Sequence, residues 1–172
     1  MTEKGSQQFL EYSNPMVVGR FMKLHKVSEE EAKTIFTELM KFLYICAHIP
    51  ASSPPSAVVD EMWHCFIIFT ADYFDFCAEY VGRFLHHQPT DSPYVGNRPE
   101  MLELAVSTFG PVKDEFWYHI TKTPPGTLRA CDSNYCSENC QADRRQADIE
   151  KMRKYIYPPI PETVNPVLPF QL

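Results

Sequence analysis

Residues 60–89 read DEMWHCFIIFTADYFDFCAEYVGRFLHHQP, and the interpretation of the rest of the chain depends on this stretch. It holds three of the six histidines, two of the six cysteines and the densest run of aromatic residues. Its apolar residues recur at the three- and four-residue spacing of buried helices. We therefore predict two consecutive core helices, one capped by Ser56 and a second from Ala71 to about Val81 capped by Thr70.

Composition sets the class of protein. A chain of 172 residues with 44% hydrophobic and 22% charged residues fits one globular domain with a substantial core. The net charge of −6 argues against a nucleic-acid-binding surface, which needs clustered lysine and arginine. No apolar run is long enough to span a membrane, and no signal peptide is recognisable. We therefore expect a cytoplasmic protein with reduced thiols.

Capping residues and apolar periodicity predict further helices on both sides of the central stretch. We expect a mostly α fold: a single compact helical domain of about six helices with an irregular, Cys- and Pro-rich C-terminal third. Residues 112–120 fit either a helix or a strand. The additional predicted helices are Asn14–His25, Ser28–His48, Pro99–Phe109 and Gln141–Tyr155.

The chain divides into three parts by composition. Residues 1–13 are polar and predicted to be a flexible N-terminus, residues 14–156 form the helical domain, and residues 157–172 form a proline-rich extended tail. No internal repeat and no glycine-rich phosphate-binding motif is present.

The histidines of the central stretch suggest a metal site. Asp60 and His64 are four residues apart and share one helix face. If the following helix packs back antiparallel, its end brings His86 or His87 to the same place. Two or three imidazoles with a carboxylate suit a divalent transition metal such as Zn²⁺ or Fe²⁺, and an open coordination position permits hydrolytic or oxidative chemistry.

A purely structural interpretation of the same residues remains open. His64 fits a core histidine that Asp60 and a backbone carbonyl satisfy. His86 and His87 fit surface positions near a helix C-terminus, where positive charge is favoured. The spacing contains no HExxH-type signature that would decide between these interpretations.

The combined pattern of these residues resembles a known family. The segments D-x-x-W-H-x-F-I from Asp60 and G-R-F-x-H-H-x-P from Gly82, with a tyrosine and a cysteine between them, resemble the glycine-rich domain-containing protein-like family. The resemblance covers about 30 residues directly, and it implies an α-helical domain but no reaction. It adds Cys77 to Asp60, His64 and His86 as candidate site residues. Phe66 stands where plant members carry a second histidine, and the glycine-rich tail is absent.

The remaining cysteines allow several interpretations. Cys131, Cys136 and Cys140 could supply three thiolates to a structural zinc ion, although their spacing is looser than that of paired zinc knuckles. A disulfide within the loop and free thiols are the alternatives. Cys77 fits a buried small hydrophobe, and a Cys77–His64 nucleophile pair is conceivable.

Two main functional hypotheses follow from the sequence. The first is a metal-binding protein, and beyond that a metalloenzyme, centred on the histidines and Asp60. The second is a non-enzymatic interaction or accessory module with a protein or peptide partner, in which the same polar groups fix the packing. The two are distinguished by whether His64 and one of the later histidines point into one cavity.

Overall fold

Seven α-helices account for most of residues 4–49, 54–88, 98–121 and 141–142, which the computed structural model describes. The predicted mostly α class is confirmed. The last helix of the central pair continues into a π-helical turn at Cys77–Val81. The α-helices are α1 (Ser6–Glu11), α2 (Pro15–His25), α3 (Glu29–His48), α4 (Ala57–Ile68), α5 (Thr70–Phe76), α6 (Arg98–Phe109) and α7 (Asp114–Thr121).

Side-chain caps fix where three of these helices begin. Asn14 accepts hydrogen bonds from two backbone N–H groups of α2, and Pro15 occupies the first helical position. Ser28 accepts from the Glu31 N–H at the start of α3, and Ser56 does the same for α4. These local contacts confirm the predicted starts, which the sequence alone determines.

Helix α3 is the centre of the core, and α1, α2, α4 and α6 pack against it. Its inward face is almost entirely apolar and inaccessible to water, so its burial supplies much of the driving force for folding. The buried apolar residues of α3 are Ala32, Ile35, Phe36, Leu39, Met40, Phe42, Leu43, Ile45 and Cys46.

The N-terminal segment differs from the flexible 1–13 that the sequence predicts, because α1 forms within it. Phe9 is fully buried, and its ring makes edge contacts with Tyr44, Phe76 and Tyr80 at 5.3, 5.6 and 5.5 Å. A six-residue helix has little stability of its own, so these distant aromatic contacts hold it. That is why local sequence patterns do not reveal it.

The second central helix is shorter and less regular than predicted. Thr70 is its first residue rather than its cap, and Phe69 precedes it without a side-chain cap bond. After the π-helical turn, Gly82 adopts φ +75° and ends the helix. Glycine tolerates this left-handed conformation without a steric penalty. The chain then reverses toward α4.

Residues 112–120, for which the sequence fits a helix or a strand, belong mainly to α7. The helix is kinked at Trp117, whose φ is −122°. The fully buried Trp117 donates from Nε1 to the Glu38 carboxylate at 2.8 Å, and Lys41 pairs with the other oxygen of Glu38 at 2.7 Å. This buried polar contact ties α7 to α3.

Two two-residue strands, β1 (His87–Gln88) and β2 (Gln141–Ala142), pair antiparallel, with His87 opposite Ala142. The prediction that a helix begins at Gln141 is therefore wrong at its first two residues. The rest of that helix, the loop of Cys131, Cys136 and Cys140, and the tail 157–172 lie outside the described residues. No helix in the described ranges is long and apolar enough to cross a bilayer.

Candidate metal site

Asp60 lies in the first turn of α4, close to the Ser56 cap, and is almost inaccessible to solvent at 4% exposure. His64 follows one helical turn later, and its Nε2 atom is 3.8 Å from Asp60 Oδ2. The His64 side chain is 24% exposed, so one edge of its ring meets solvent. The predicted shared helix face is present.

His87, on β1, closes the group from the other side. Its Nε2 atom is 2.9 Å from Asp60 Oδ1, and both side chains are buried. The ring centroids of His64 and His87 are 4.5 Å apart. One ligand atom from each of Asp60, His64 and His87 lies within 4.8 Å of the other two. The three side chains therefore form a group that could hold a metal ion, which we call the Asp/His/His group.

The return of the chain after α5 brings His87 to this place. Gly82 reverses the chain, and the next residue, Arg83, donates to the backbone carbonyls of Cys46 and Ala47 at 2.6 and 3.3 Å. These carbonyls belong to the last turn of α3, where a cation is favoured. Pairing of β1 with β2 then holds the backbone of His87.

The other predicted site residues lie elsewhere. His86 is not part of the Asp/His/His group, and its ring packs against Phe84 with centroids 4.9 Å apart. Cys77 is fully buried beside Tyr73 and Leu85, and burial raises the pKa of its thiol to about 12. A thiol that stays protonated is a weak nucleophile, and Cys77 is not part of the Asp/His/His group. Cys131, Cys136 and Cys140 lie outside the described residues.

The UCP032817-like family matches residues 8–97, which is more than half of the chain. The chain belongs to this family. The matched segment contains the whole Asp/His/His group and excludes the three C-terminal cysteines. The assignment to the glycine-rich domain-containing protein-like family is therefore wrong. No curated protein and no solved structure matches the chain.

The distances between the candidate ligand atoms in this UCP032817-like protein bear on whether the group can hold an ion. A tetrahedral ion bonded at about 2.0–2.1 Å separates its ligand atoms by roughly 3.4 Å. The Nε2 atoms of His87 and His64 lie 2.9 and 3.8 Å from different oxygens of the Asp60 carboxylate, and these distances fall on either side of that value. A carboxylate and two imidazoles are common metal ligands, so the donor set of the group could hold a metal ion.

Two residues that the sequence does not single out as ligands, Glu61 and Trp63, also contact the Asp/His/His group. The Glu61 carboxylate lies 3.9 Å from His64 Nδ1, on the opposite side of the ring from Asp60. Trp63 packs its ring on His87, with centroids 4.3 Å apart, and donates from Nε1 to the Tyr73 hydroxyl. The sequence signal for the bond between Trp63 and Tyr73 is a tyrosine in an apolar helix face, because a buried hydroxyl needs a hydrogen-bond partner.

Proposed function

We propose that this protein binds one divalent transition metal ion, zinc or iron, through Asp60, His64 and His87. The observation that carries the proposal is the convergence of three ligand atoms within 4.8 Å from two separate elements of the fold. Two imidazoles and a carboxylate are a ligand set used for both metals. The described residues supply three ligands, which leaves at least one position of a tetrahedral ion for water or a small substrate.

The open position supports a catalytic role in addition to binding. A zinc ion there would lower the pKa of its water and supply a nucleophile, and an iron ion would supply redox chemistry. The chain's own part is to orient the two imidazoles and to exclude bulk water from Asp60 and His87, whose side chains are 6% and 7% exposed. His64 forms the solvent edge through which a small molecule could approach.

One observation favours the alternative of a non-enzymatic module. The hydrogen bond between His87 and Asp60 at 2.9 Å already satisfies a buried carboxylate without an ion. In that case the group is a structural tie between α4 and β1. A protein or peptide partner for such a module stays a prediction, as does the cytoplasmic location.

Elemental analysis of protein purified without a histidine tag tests the proposal. We expect about one equivalent of zinc or iron in the wild type and loss of most of it in His64→Ala and His87→Ala. His86→Ala is the matched control, because it removes the neighbouring imidazole, which packs on Phe84 instead. It should keep the metal.

Two outcomes would contradict the proposal. Metal retained in both His64→Ala and His87→Ala would exclude the Asp/His/His group and direct attention to Cys131, Cys136 and Cys140. No metal in the wild type, with a melting temperature that a chelator or added zinc leaves unchanged, would leave the structural tie as the function of the group.

A further inference from the structure

A buried hydrogen-bond relay leads from α4 to the segment that carries His87. The Tyr73 hydroxyl accepts from Trp63 Nε1 at 3.0 Å and donates to the Leu85 carbonyl at 2.7 Å. Tyr73 is only 1% exposed. Burial raises the pKa of Tyr73 well above its ordinary value of 10.0, so the hydroxyl keeps the proton that it donates to Leu85.

The relay reaches His87 along two routes. Leu85 precedes His87 by two residues, so the hydrogen bond from Tyr73 holds the backbone just before the ligand. Trp63 lies between Asp60 and His64 on α4, and its indole meets the His87 ring at an angle of 64°. The orientation of that indole depends in turn on its bond to Tyr73. One hydroxyl therefore constrains both the backbone and the ring of His87.

The surroundings leave Tyr73 few other positions. Its ring contacts Phe66 at 5.1 Å and Phe84 at 5.4 Å, both edge-on. The Cys77 thiol adjoins the hydroxyl from the following helical turn and stays protonated. A side chain enclosed in this way transmits position rather than adapting to its neighbours.

We propose that Tyr73 is a positioning residue for the metal site and holds His87 in reach of the ion bound by Asp60 and His64. The inference rests on the metal-binding function proposed above. Groups that orient metal ligands from outside the coordination sphere typically change metal affinity 10- to 100-fold when they are removed. Tyr73 touches no ligand itself and acts through Trp63 and Leu85, so we expect its effect to lie at the lower end of this range.

Tyr73→Phe tests this role, because it removes the hydroxyl and leaves the ring. Zn²⁺ affinity is measured by competition with a chromophoric chelator, and the visible spectrum of the Co²⁺-loaded protein reports the ligand geometry. We expect at least tenfold weaker Zn²⁺ binding and a changed Co²⁺ spectrum. If Tyr73 only stabilised the fold, Tyr73→Phe would leave both the Zn²⁺ affinity and the Co²⁺ spectrum unchanged. The observed affinity scales with the folded fraction, and that fraction stays close to one well below the melting temperature.

Tyr12→Phe is the control, since it removes a hydroxyl from the same aromatic core at a tyrosine whose ring contacts Phe36, Phe66, Phe76 and Tyr80. It should bind Zn²⁺ within twofold of the wild type.

If Tyr73→Phe does not fold, Trp63→Phe replaces it, because this change removes the indole donor of the relay. Zn²⁺ affinity within twofold of the wild type, with an unchanged Co²⁺ spectrum, would overturn the positioning role. A wild type that binds no Zn²⁺ would instead overturn the metal function on which it rests.

Discussion

Replacing Asp60 with asparagine separates the metal-binding function from the structural one. The change keeps the shape of the side chain and removes its charge. In the absence of metal, the amide oxygen can still accept from His87, which lies 2.9 Å from the carboxylate. Hydrogen bonds to charged groups contribute about 1.5–3 kcal/mol and neutral ones about 0.5–1.5 kcal/mol. We therefore expect a loss of about 1 kcal/mol, or roughly 2–4 °C in melting temperature for a protein of this size.

The effect of metal on the same variant should be larger. A ligand at one hundred times its Kd stabilises the native state by about 2.7 kcal/mol, which corresponds to a rise of roughly 5–11 °C. If the substitution weakens the affinity a hundredfold, the same metal concentration adds only about 0.4 kcal/mol. The zinc-dependent rise should therefore almost disappear, while the metal-free protein changes little.

Thermal unfolding in chelator and in excess Zn²⁺ measures both quantities on one sample. Asp72→Asn is the control, because its carboxylate accepts from Asn14 at 2.8 Å at the start of α2 and is not part of the Asp/His/His group. It should keep the full zinc-dependent rise. If the zinc-dependent rise in the melting temperature of Asp60→Asn equals that of the wild type, the reasoning is refuted. The Asp60 carboxylate would then contribute nothing to zinc binding.

Two further predictions concern the core. Phe9→Ala should cost about 3–5 kcal/mol and lower the melting temperature by roughly 6–20 °C; a change near zero would mean that the N-terminus is flexible. Cys77 should react much more slowly with iodoacetamide at pH 8.5 in the native protein than in urea, as measured by peptide mass spectrometry. Its folded pKa of about 12 lies above the ordinary 9.0, so the stability gained by keeping the thiol neutral is present below about pH 9 and is lost as the pH rises toward 12. Equal rates in the native and unfolded protein would contradict this burial.

The sequence predicts those parts of the fold that local contacts determine. Asn14, Ser28 and Ser56 each accept from backbone N–H groups within three residues, so the starts of α2, α3 and α4 are readable from short segments. The α1 helix is different, because Phe9 is held by rings that follow it by 35 or more positions in the chain. Such contacts leave no local signal.

The same distinction explains how much of the candidate site is predictable. Asp60 and His64 share a helix face by spacing alone. The choice between His86 and His87 depends on which side of an extended segment each side chain points to, since neighbouring residues alternate. Two long-range contacts set that alternation. Arg83 donates to a carbonyl in the last turn of α3, and His87 pairs with Ala142.

The direct bond between Asp60 and His87 does not by itself argue against an ion. A charge-assisted hydrogen bond contributes about 1.5–3 kcal/mol, whereas binding of an ion with a micromolar Kd contributes about 8 kcal/mol. An ion would therefore replace the bond readily, provided that the third ligand can reach it. His64 would be that ligand, and its side chain is the most exposed of the three at 24%. His64 would thus complete the coordination from the solvent-facing side of the group, so its replacement should lower metal affinity more than the stability of the metal-free protein.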